Sequence, residues 1–291
     1  MPYVIALDVG GTSVKSGIVA REGRVIGEVA QTAIDSSRDA DTIINTLAQI
    51  VRQHQALLKP EDWLGIGMGF PSPFDYEKGI AYIKDLHKYE SIYGMNIADA
   101  LRERVRVGNR PIRFRNDAEA AIVGEYFYGG GSAYHRVIGI TLGTGFGSSF
   151  LVDGVRQSEG EGVPPDGWLF PEMVENVNLR ADDVFSRRGL EQLLRKAGFP
   201  SEIPEAAMMA REGDAAARAI FESFGRDMGT FLVRYSKPFR AEAILVLGGI
   251  TGAFDLFRDA LASVVNIPVL PAVRGSEAAL LGAAKSLFDL L

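Results

Sequence analysis

Two glycine–threonine turns and four polar residues carry most of the chemistry this 291-residue chain can do. The first turn lies in Val4-Ile5-Ala6-Leu7-Asp8-Val9-Gly10-Gly11-Thr12, which runs on to Ser16-Gly17-Ile18-Val19. The second lies in Val137-Ile138-Gly139-Ile140-Thr141-Leu142-Gly143-Thr144-Gly145, which runs on to Ser149-Phe150-Leu151-Val152. Each reads as apolar strand, turn, second strand. Glycine lets backbone approach a ligand where a Cβ would block it. Threonine adds a hydroxyl, and the free amides of such a turn can point at an anion. Facing each other, the two turns would clamp a chain of phosphates. Two ordinary β-hairpins would share these residues, since glycine is the default there.

Asp8 ends the first strand, two residues before Gly10. A carboxylate there can hold Mg²⁺ through water beside gripped phosphates, or simply cap the turn. Its counterpart in the repeat is Thr141, so only one half would carry that charge. Lys15, on the outgoing strand, can reach phosphate oxygens as a point charge or sit solvated on a strand face. Asn116-Asp117 follows an apolar strand and opens a helix. A strand-end carboxylate at a cleft suits a general base that accepts the proton of an attacking hydroxyl, with Asn holding neighbouring hydroxyls. Plain N-capping accounts for the same pair equally well. Gly248-Gly249, after Ile244-Leu245-Val246-Leu247, admits either a flat group such as adenine or a close helix–strand contact.

Several chemistries are excluded. No cysteine occurs, so disulfides, zinc–thiolate sites and thiol catalysis are absent. The three histidines, His54, His87 and His135, are widely separated, which disfavours a Ser-His-Asp triad or a His-based metal site. There is no G-x-x-x-x-G-K-[ST] loop. Gly143-x-Gly145-x-Gly147 precedes a strand, not the helix a dinucleotide fingerprint needs. The net charge of −6 argues against a nucleic-acid footprint. The apolar runs are too short to cross a bilayer, and no secretory pattern opens the chain. A cytoplasmic protein acting on small molecules is expected.

The elements that must position these residues follow from hydrophobic period and turn signals. Strands are expected over 3–8, 13–20, 24–31, 63–70 and 111–114. Helices are expected over 39–58, 96–106 and about 116–128, with a flexible break at Gly129-Gly130-Gly131. The second half reads as strands 137–142 and 147–153, then an aperiodic stretch over 157–180. Helices over 182–197, 204–211 and 214–236 come next. A strand over 244–247, a helix over 253–264, a strand over 267–270 and a last helix over 276–290 complete it. Strands then helices, repeated, imply a duplicated α/β fold with a ligand between its halves.

Taken together the chain resembles the sugar-kinase branch of the actin/hexokinase/Hsp70 ATPase superfamily, and more closely the ROK family of bacterial glucokinase-type kinases. Ala6-Leu7-Asp8-Val9-Gly10-Gly11-Thr12 resembles the family's first phosphate motif, and Phe70-Pro71-Ser72-Pro73-Phe74-Asp75 a following loop. Arg115-Asn116-Asp117-Ala118-Glu119-Ala120-Ala121 resembles the catalytic segment. Thr141-Leu142-Gly143-Thr144-Gly145-Phe146-Gly147 resembles the second phosphate motif, and Val246-Leu247-Gly248-Gly249-Ile250 the adenosine motif.

The resemblance implies two ribonuclease-H-like (actin-like ATPase) α/β domains around a central cleft. The smaller would comprise 1–116 plus 273–291 and the larger 117–272. It implies an ATP- and Mg²⁺-dependent kinase of a hexose or sugar derivative, and a homodimer. Asp117 would be the catalytic base and Asn116 a sugar contact. Asp8 would position Mg²⁺ and ATP, Gly10, Gly11 and Thr12 with Gly143, Thr144 and Gly145 would hold phosphates, and Gly248 and Gly249 would flank the adenosine.

The departures from the family lie at its acceptor end. Members usually carry a Glu-x-Gly-His element and a cysteine-rich zinc loop after the second phosphate motif. Here that stretch reads Ser158-Glu159-Gly160-Glu161-Gly162-Val163-Pro164-Pro165-Asp166-Gly167-Trp168, with no histidine after His135. No zinc site is therefore expected. Asp166 or Glu159 would serve for the missing histidine, Asp182 for a later glutamate, and Asp85-Leu86 for an Asn-Leu that touches sugar. An altered acceptor pocket follows. Two further readings stay open here: a polyphosphate-dependent kinase, and a sugar-binding regulator or pseudo-kinase without turnover.

Overall fold

A computed structural model describes residues 2–290. The chain divides into two compact units: residues up to Tyr128 together with those from Ser276 on, and Gly129–Gly275. In the first unit β1 (Tyr3–Val9), β2 (Ser13–Ala20) and β3 (Arg24–Ala33) are consecutive, followed by α1 (Ala40–Gln55), β4 (Trp63–Phe70), the short hairpin β5 (Phe74–Asp75) and β6 (Ile80–Ala81), α2 (Ile97–Arg104), β7 (Ile112–Asn116) and α3 (Asp117–Tyr128). The sheet order is β3-β2-β1-β4-β7. β1–β2 and β2–β3 are antiparallel, and β1–β4 and β4–β7 are parallel.

The second unit repeats this plan. It contains β8 (Arg136–Leu142), β9 (Phe146–Val152), β10 (Val155–Gln157), the hairpin β11 (Met173–Val174) and β12 (Leu179–Arg180), α4 (Ala181–Phe185), α5 (Arg187–Lys196), α6 (Ile203–Arg211), α7 (Ala215–Phe239), β13 (Ala243–Leu247), α8 (Phe254–Val265) and β14 (Val269–Pro271). Its sheet order is β10-β9-β8-β13-β14. Again the first three strands are antiparallel, and β8–β13 and β13–β14 are parallel. The chain then returns to the first unit as α9 (Ala278–Phe288).

Local sequence explains most of these elements. Side chains alternate across a strand: Ile5 and Leu7 enter the core that α1 covers, while Val4 and Ala6 face Leu280, Leu281 and Leu287 of α9. Asp39, Asn96 and Asp214 cap α1, α2 and α7 by accepting from backbone amides of the first turn. The alternate glycines of β4 make room for α9: a Cβ on Gly67 would lie 2.3 Å from the Ala283 carbonyl oxygen. Among the described residues no helix is long and apolar enough to cross a membrane.

The division of the chain differs from the expected one. It falls after Tyr128, not Asn116, and before Ser276, and the two units are nearly equal in length. The reason is the contact between α3 and α9. A Cβ on Gly124 would lie 1.9 Å from the Ala278 carbonyl oxygen, and one on Gly282 would lie 1.7 Å from that of Ala120. These helices meet backbone to backbone, so α3, with Asp117 at its start, belongs to the first unit.

The helix expected over 182–197 is broken at Ser186, which is extended (φ −75°, ψ 172°). There the Arg187 amide donates to the Gly143 carbonyl at 2.8 Å, which starts α5 at the second glycine turn. The stretch 157–180 holds the β11–β12 hairpin. Ser148 anchors its start by donating to the Gly167 carbonyl and accepting from the Leu169 amide, both at 2.8 Å.

Candidate active site

In the first unit the functional candidates converge on the end of the sheet. Asp8 on β1 is in register with Gly69 on β4 and with Lys15 on β2. Gly69 in turn pairs with Arg115, and Phe70 with Asn116, on β7. β7 passes directly into α3, so Asn116 is the last strand residue and Asp117 the first helical one. A Cβ on Gly69 would lie 3.5 Å from Asp8 Oδ1 and 3.6 Å from the Asp117 Cα. Asp8 and Asp117 are thus neighbours across a residue with no side chain.

Their electrostatics reflect this. Asp8 is pushed up from 3.8 to about 6, first by burial and then by the charge of Asp117, while Lys15 acts the other way. Burial also raises Asp117; the Ala118 amide bonded to its carboxylate, the Lys88 ammonium and Asn116 oppose this.

Asn116 does cap α3: its Oδ1 accepts from the Glu119 amide at 3.1 Å. Its Nδ2 donates to the Tyr76 hydroxyl at 3.2 Å, and that hydroxyl donates to the Phe70 carbonyl at 3.2 Å. The amide is thereby oriented beside Asp117, whose carboxylate it also stabilises by hydrogen bonding. Capping and a site role therefore coexist in this residue.

The first glycine turn closes with the Gly10 amide donating to the Ser13 carbonyl at 3.0 Å. Gly11 and Thr12 are exposed, and nothing stands within 4 Å of where a Gly11 Cβ would be. Packing does not require glycine there. The turn is held from outside by Tyr89, a fully buried residue whose hydroxyl donates to the Gly10 carbonyl at 2.5 Å. Tyr89 belongs to a segment in which Asp85, His87 and Tyr89 all have left-handed φ. The Glu90 carboxylate accepts from the Leu86 and His87 amides at 2.9 and 2.8 Å and secures it. Asp85 is exposed.

In the second unit the Gly143-Thr144-Gly145 turn closes with the Gly143 amide donating to the Gly145 carbonyl at 3.1 Å. The Asp182 carboxylate accepts from the Phe146 amide at 2.8 Å, and a Cβ on Gly145 would lie 3.1 Å from its Oδ1. Asp182, expected near sugar, is therefore engaged with the second glycine turn. Gly248 has φ +100°, and its Cβ would lie 2.3 Å from the Leu142 carbonyl oxygen; it packs against the end of β8 as a close backbone contact.

Gly249 lies instead on a cavity of about 180 Å³. Ile203, Pro204, Ala207, Ile250 and Ala253 give this cavity apolar walls, and Arg187, Glu191, Glu202 and Arg211 give it a charged mouth. Glu159 and Asp166 are exposed on the 157–180 segment; Asp166 has left-handed φ, and its carbonyl accepts from Arg156 at 2.6 Å.

Tyr76 beside Asn116, Lys88 near Asp117, Tyr89 on the first turn and Arg187 on the second are not marked by any local motif. The one readable signal was Gly65-x-Gly67-x-Gly69, glycines at strand period, which announces close approach on one face. Among the described residues no group of three or more His, Asp or Glu could hold a metal by itself.

Two units of this topology, each with a glycine turn between its first two strands, are the actin-like ATPase architecture. The ROK family model matches residues 4–166, and the chain belongs to the ROK family. It is 23% identical to a glucokinase of Thermotoga maritima, over 94% of this chain and 90% of that protein. A ROK family glucokinase from Streptomyces griseus, solved in complex with glucose and AMPPNP, superimposes with TM-score 0.76 at 22% identity over 99% of both chains. An inorganic polyphosphate/ATP-glucomannokinase from an Arthrobacter species, strain KM, does so with TM-score 0.72 at 24% identity over the full length of both.

Proposed function

We propose that this chain is an ATP-dependent sugar kinase that transfers the γ-phosphate to a hydroxyl of a hexose or sugar derivative. The observation that carries this reading is the adjacency of Asp117 and Asp8 across Gly69, beside the first glycine turn. Asp117 takes the proton of the attacking hydroxyl as its oxygen bonds to the γ-phosphorus. The bond from that phosphorus to the β–γ bridging oxygen breaks, and ADP leaves. Burial that raises Asp117 strengthens it as a base. Asn116, fixed by Tyr76 and by the α3 backbone, is the sugar contact beside Asp117.

Gly10 and Gly143 close the two turns through their own amides, which leaves Gly11 and Thr12, and separately Thr144 and Gly145, to offer backbone amides to phosphate oxygens, with Lys15 as a point charge. Gly249 and the apolar cavity suit an adenine ring; Gly248 sets the loop that carries Gly249. Asp182 acts on the donor side by holding the second turn. Asp85, Glu159 and Asp166 are the candidates for acceptor contacts. Mg²⁺ fits a donor set of one or two carboxylates with phosphates and water completing its shell, and like charge at Asp8 and Asp117 favours a cation there. When bound it neutralises charge on the phosphates; Asp8 would hold it through water or through ATP. A cytoplasmic homodimer completes the proposal.

The test is ADP release across a hexose and amino-sugar panel with ATP and, in parallel, polyphosphate as donor. Asp117→Asn is expected to lower kcat by about 10³-fold while sugar still shifts the melting temperature. Unchanged turnover in that variant would remove Asp117 from the reaction. Sugar-induced thermal shifts in the wild type without turnover from any donor would make the chain a sugar-binding regulator.

A further inference from the structure

We infer that Arg187 is a donor-binding residue that contacts the phosphate chain, and that it does so from the junction of the second glycine turn and the cavity beside Gly249. This rests on the reading of that turn and cavity as the donor site. Arg187 is the first residue of α5, tied through its backbone amide to the Gly143 carbonyl. Its guanidinium reaches the other way: Nη2 lies 3.5 Å from where a Cβ of Gly249 would be. One residue thus joins the turn proposed to grip phosphates, through its backbone, to the wall proposed to receive the base, through its side chain.

The neighbouring arginines are paired with carboxylates, and among the described residues this one is not. Arg188, next in sequence, is paired with Asp183 at 2.8 Å and Asp182 at 3.5 Å. Arg211, across the cavity mouth, grips Asp255 with two nitrogens and also donates to the Gly252 carbonyl. Arg187 has no carboxylate within ion-pair distance among the described residues. Glu191 lies one helical turn further on, where an i,i+4 pair could form, yet the guanidinium does not fold back onto it.

A cation at a helix N-terminus is disfavoured by the aligned peptide dipoles, so its presence there is better matched by an anion than by water. Ser186, immediately before it, is fully buried with its Oγ lacking any hydrogen-bond partner. A guanidinium offers five donors in a planar fork that matches phosphate oxygens.

Binding of ADP, tripolyphosphate and adenosine to the intact protein, measured by calorimetry, separates the possibilities. Arg187→Gln is expected to weaken ADP and tripolyphosphate by about tenfold, as losing a charge-assisted hydrogen bond should. Adenosine and sugar affinities and the melting temperature should stay within about twofold and about 2 °C respectively, the range of surface changes. Arg187→Lys, which keeps the charge without the fork, should recover part of the loss. Unchanged ADP affinity in Arg187→Gln overturns the inference. So does equal weakening of ADP and adenosine, which would mean the guanidinium stacks on the base. If the wild type binds none of the three, the donor reading itself falls.

Discussion

Asp8 and Asp117 come from strands that are not adjacent in the first sheet, β1 and the β7–α3 junction, and they face one another across Gly69 on the strand between. The positions around that residue are graded. A methyl at Gly69 would sit at ordinary contact distances, 3.5 Å from Asp8 Oδ1 and 3.6 Å from the Asp117 Cα and the Ala120 Cβ. Branching beyond the methyl enters the space between the carboxylates. Gly69→Ala is therefore expected to fold and to keep kcat/KM within about fivefold. Gly69→Val, although valine favours strands, should lose about 100-fold or more, since misplacement of a reacting group by about 1 Å has that effect. Steady-state kinetics with urea midpoints check this; equal activity in both variants would show that the space is not used.

The same pair sets a pH dependence of stability. Asp8 binds its proton more tightly in the folded chain, at about 6 against 3.8. Between those values the folded state holds more protons than the unfolded one, so stability falls as pH rises through the window. At neutral pH the difference corresponds to about 3 kcal/mol. Asp8→Asn removes the charge. It should be more stable than the wild type by about 2 kcal/mol above pH 7, with the gap closing toward pH 4. Urea unfolding across that range, without divalent cations, is the measurement. A gap independent of pH would show that Asp8 does not carry the effect.

What was legible in the sequence was what local chemistry decides. Strand alternation, the Asp39, Asn96 and Asp214 caps and both glycine turns are fixed by residues a few positions apart. Asn116 illustrates the limit: its cap on α3 is a three-residue matter, but its bond to Tyr76 joins residues far apart in sequence. The break at Ser186 could not be read because the helical period of 182–197 continues through it; only the Gly143 carbonyl, on another element, ends the first segment. The domain limit was misplaced for a related reason. Alanines and glycines on α3 carry little apolar signal, yet they are what allow α9 to touch its backbone.

Asp182 offers a way to tell the two ends of the reaction apart. Its carboxylate holds the Phe146 amide, and Phe146 is buried in the core of the second unit. Removing the acceptor leaves that amide unpaired and loosens the turn. Asp182→Ala is expected to raise KM for ATP by about tenfold, in line with the loss of a partly buried hydrogen bond to a charged group, and to leave KM for the sugar within about twofold. Asp182→Asn, which keeps an oxygen for the amide, should restore most of the donor affinity. A rise in the sugar KM alone would instead place Asp182 at the acceptor.

Tyr89 makes a parallel claim on the first turn. Its hydroxyl is the buried donor to the Gly10 carbonyl, and burial holds that phenol well above its usual range, so it stays protonated and donating throughout the working pH. Its backbone amide donates to the Ser36 carbonyl at 2.6 Å, so the residue is fixed at both ends. Tyr89→Phe removes one oxygen and leaves the aromatic packing with Phe70 in place. The Gly10 carbonyl then loses a partner, at a cost of about 1 kcal/mol in folding stability. The turn loses its outside brace, so KM for ATP should rise about fivefold while KM for sugar changes little, the signature of a lost donor-positioning contact. If the variant loses stability but keeps both KM values, the hydrogen bond serves the fold and not the phosphate grip.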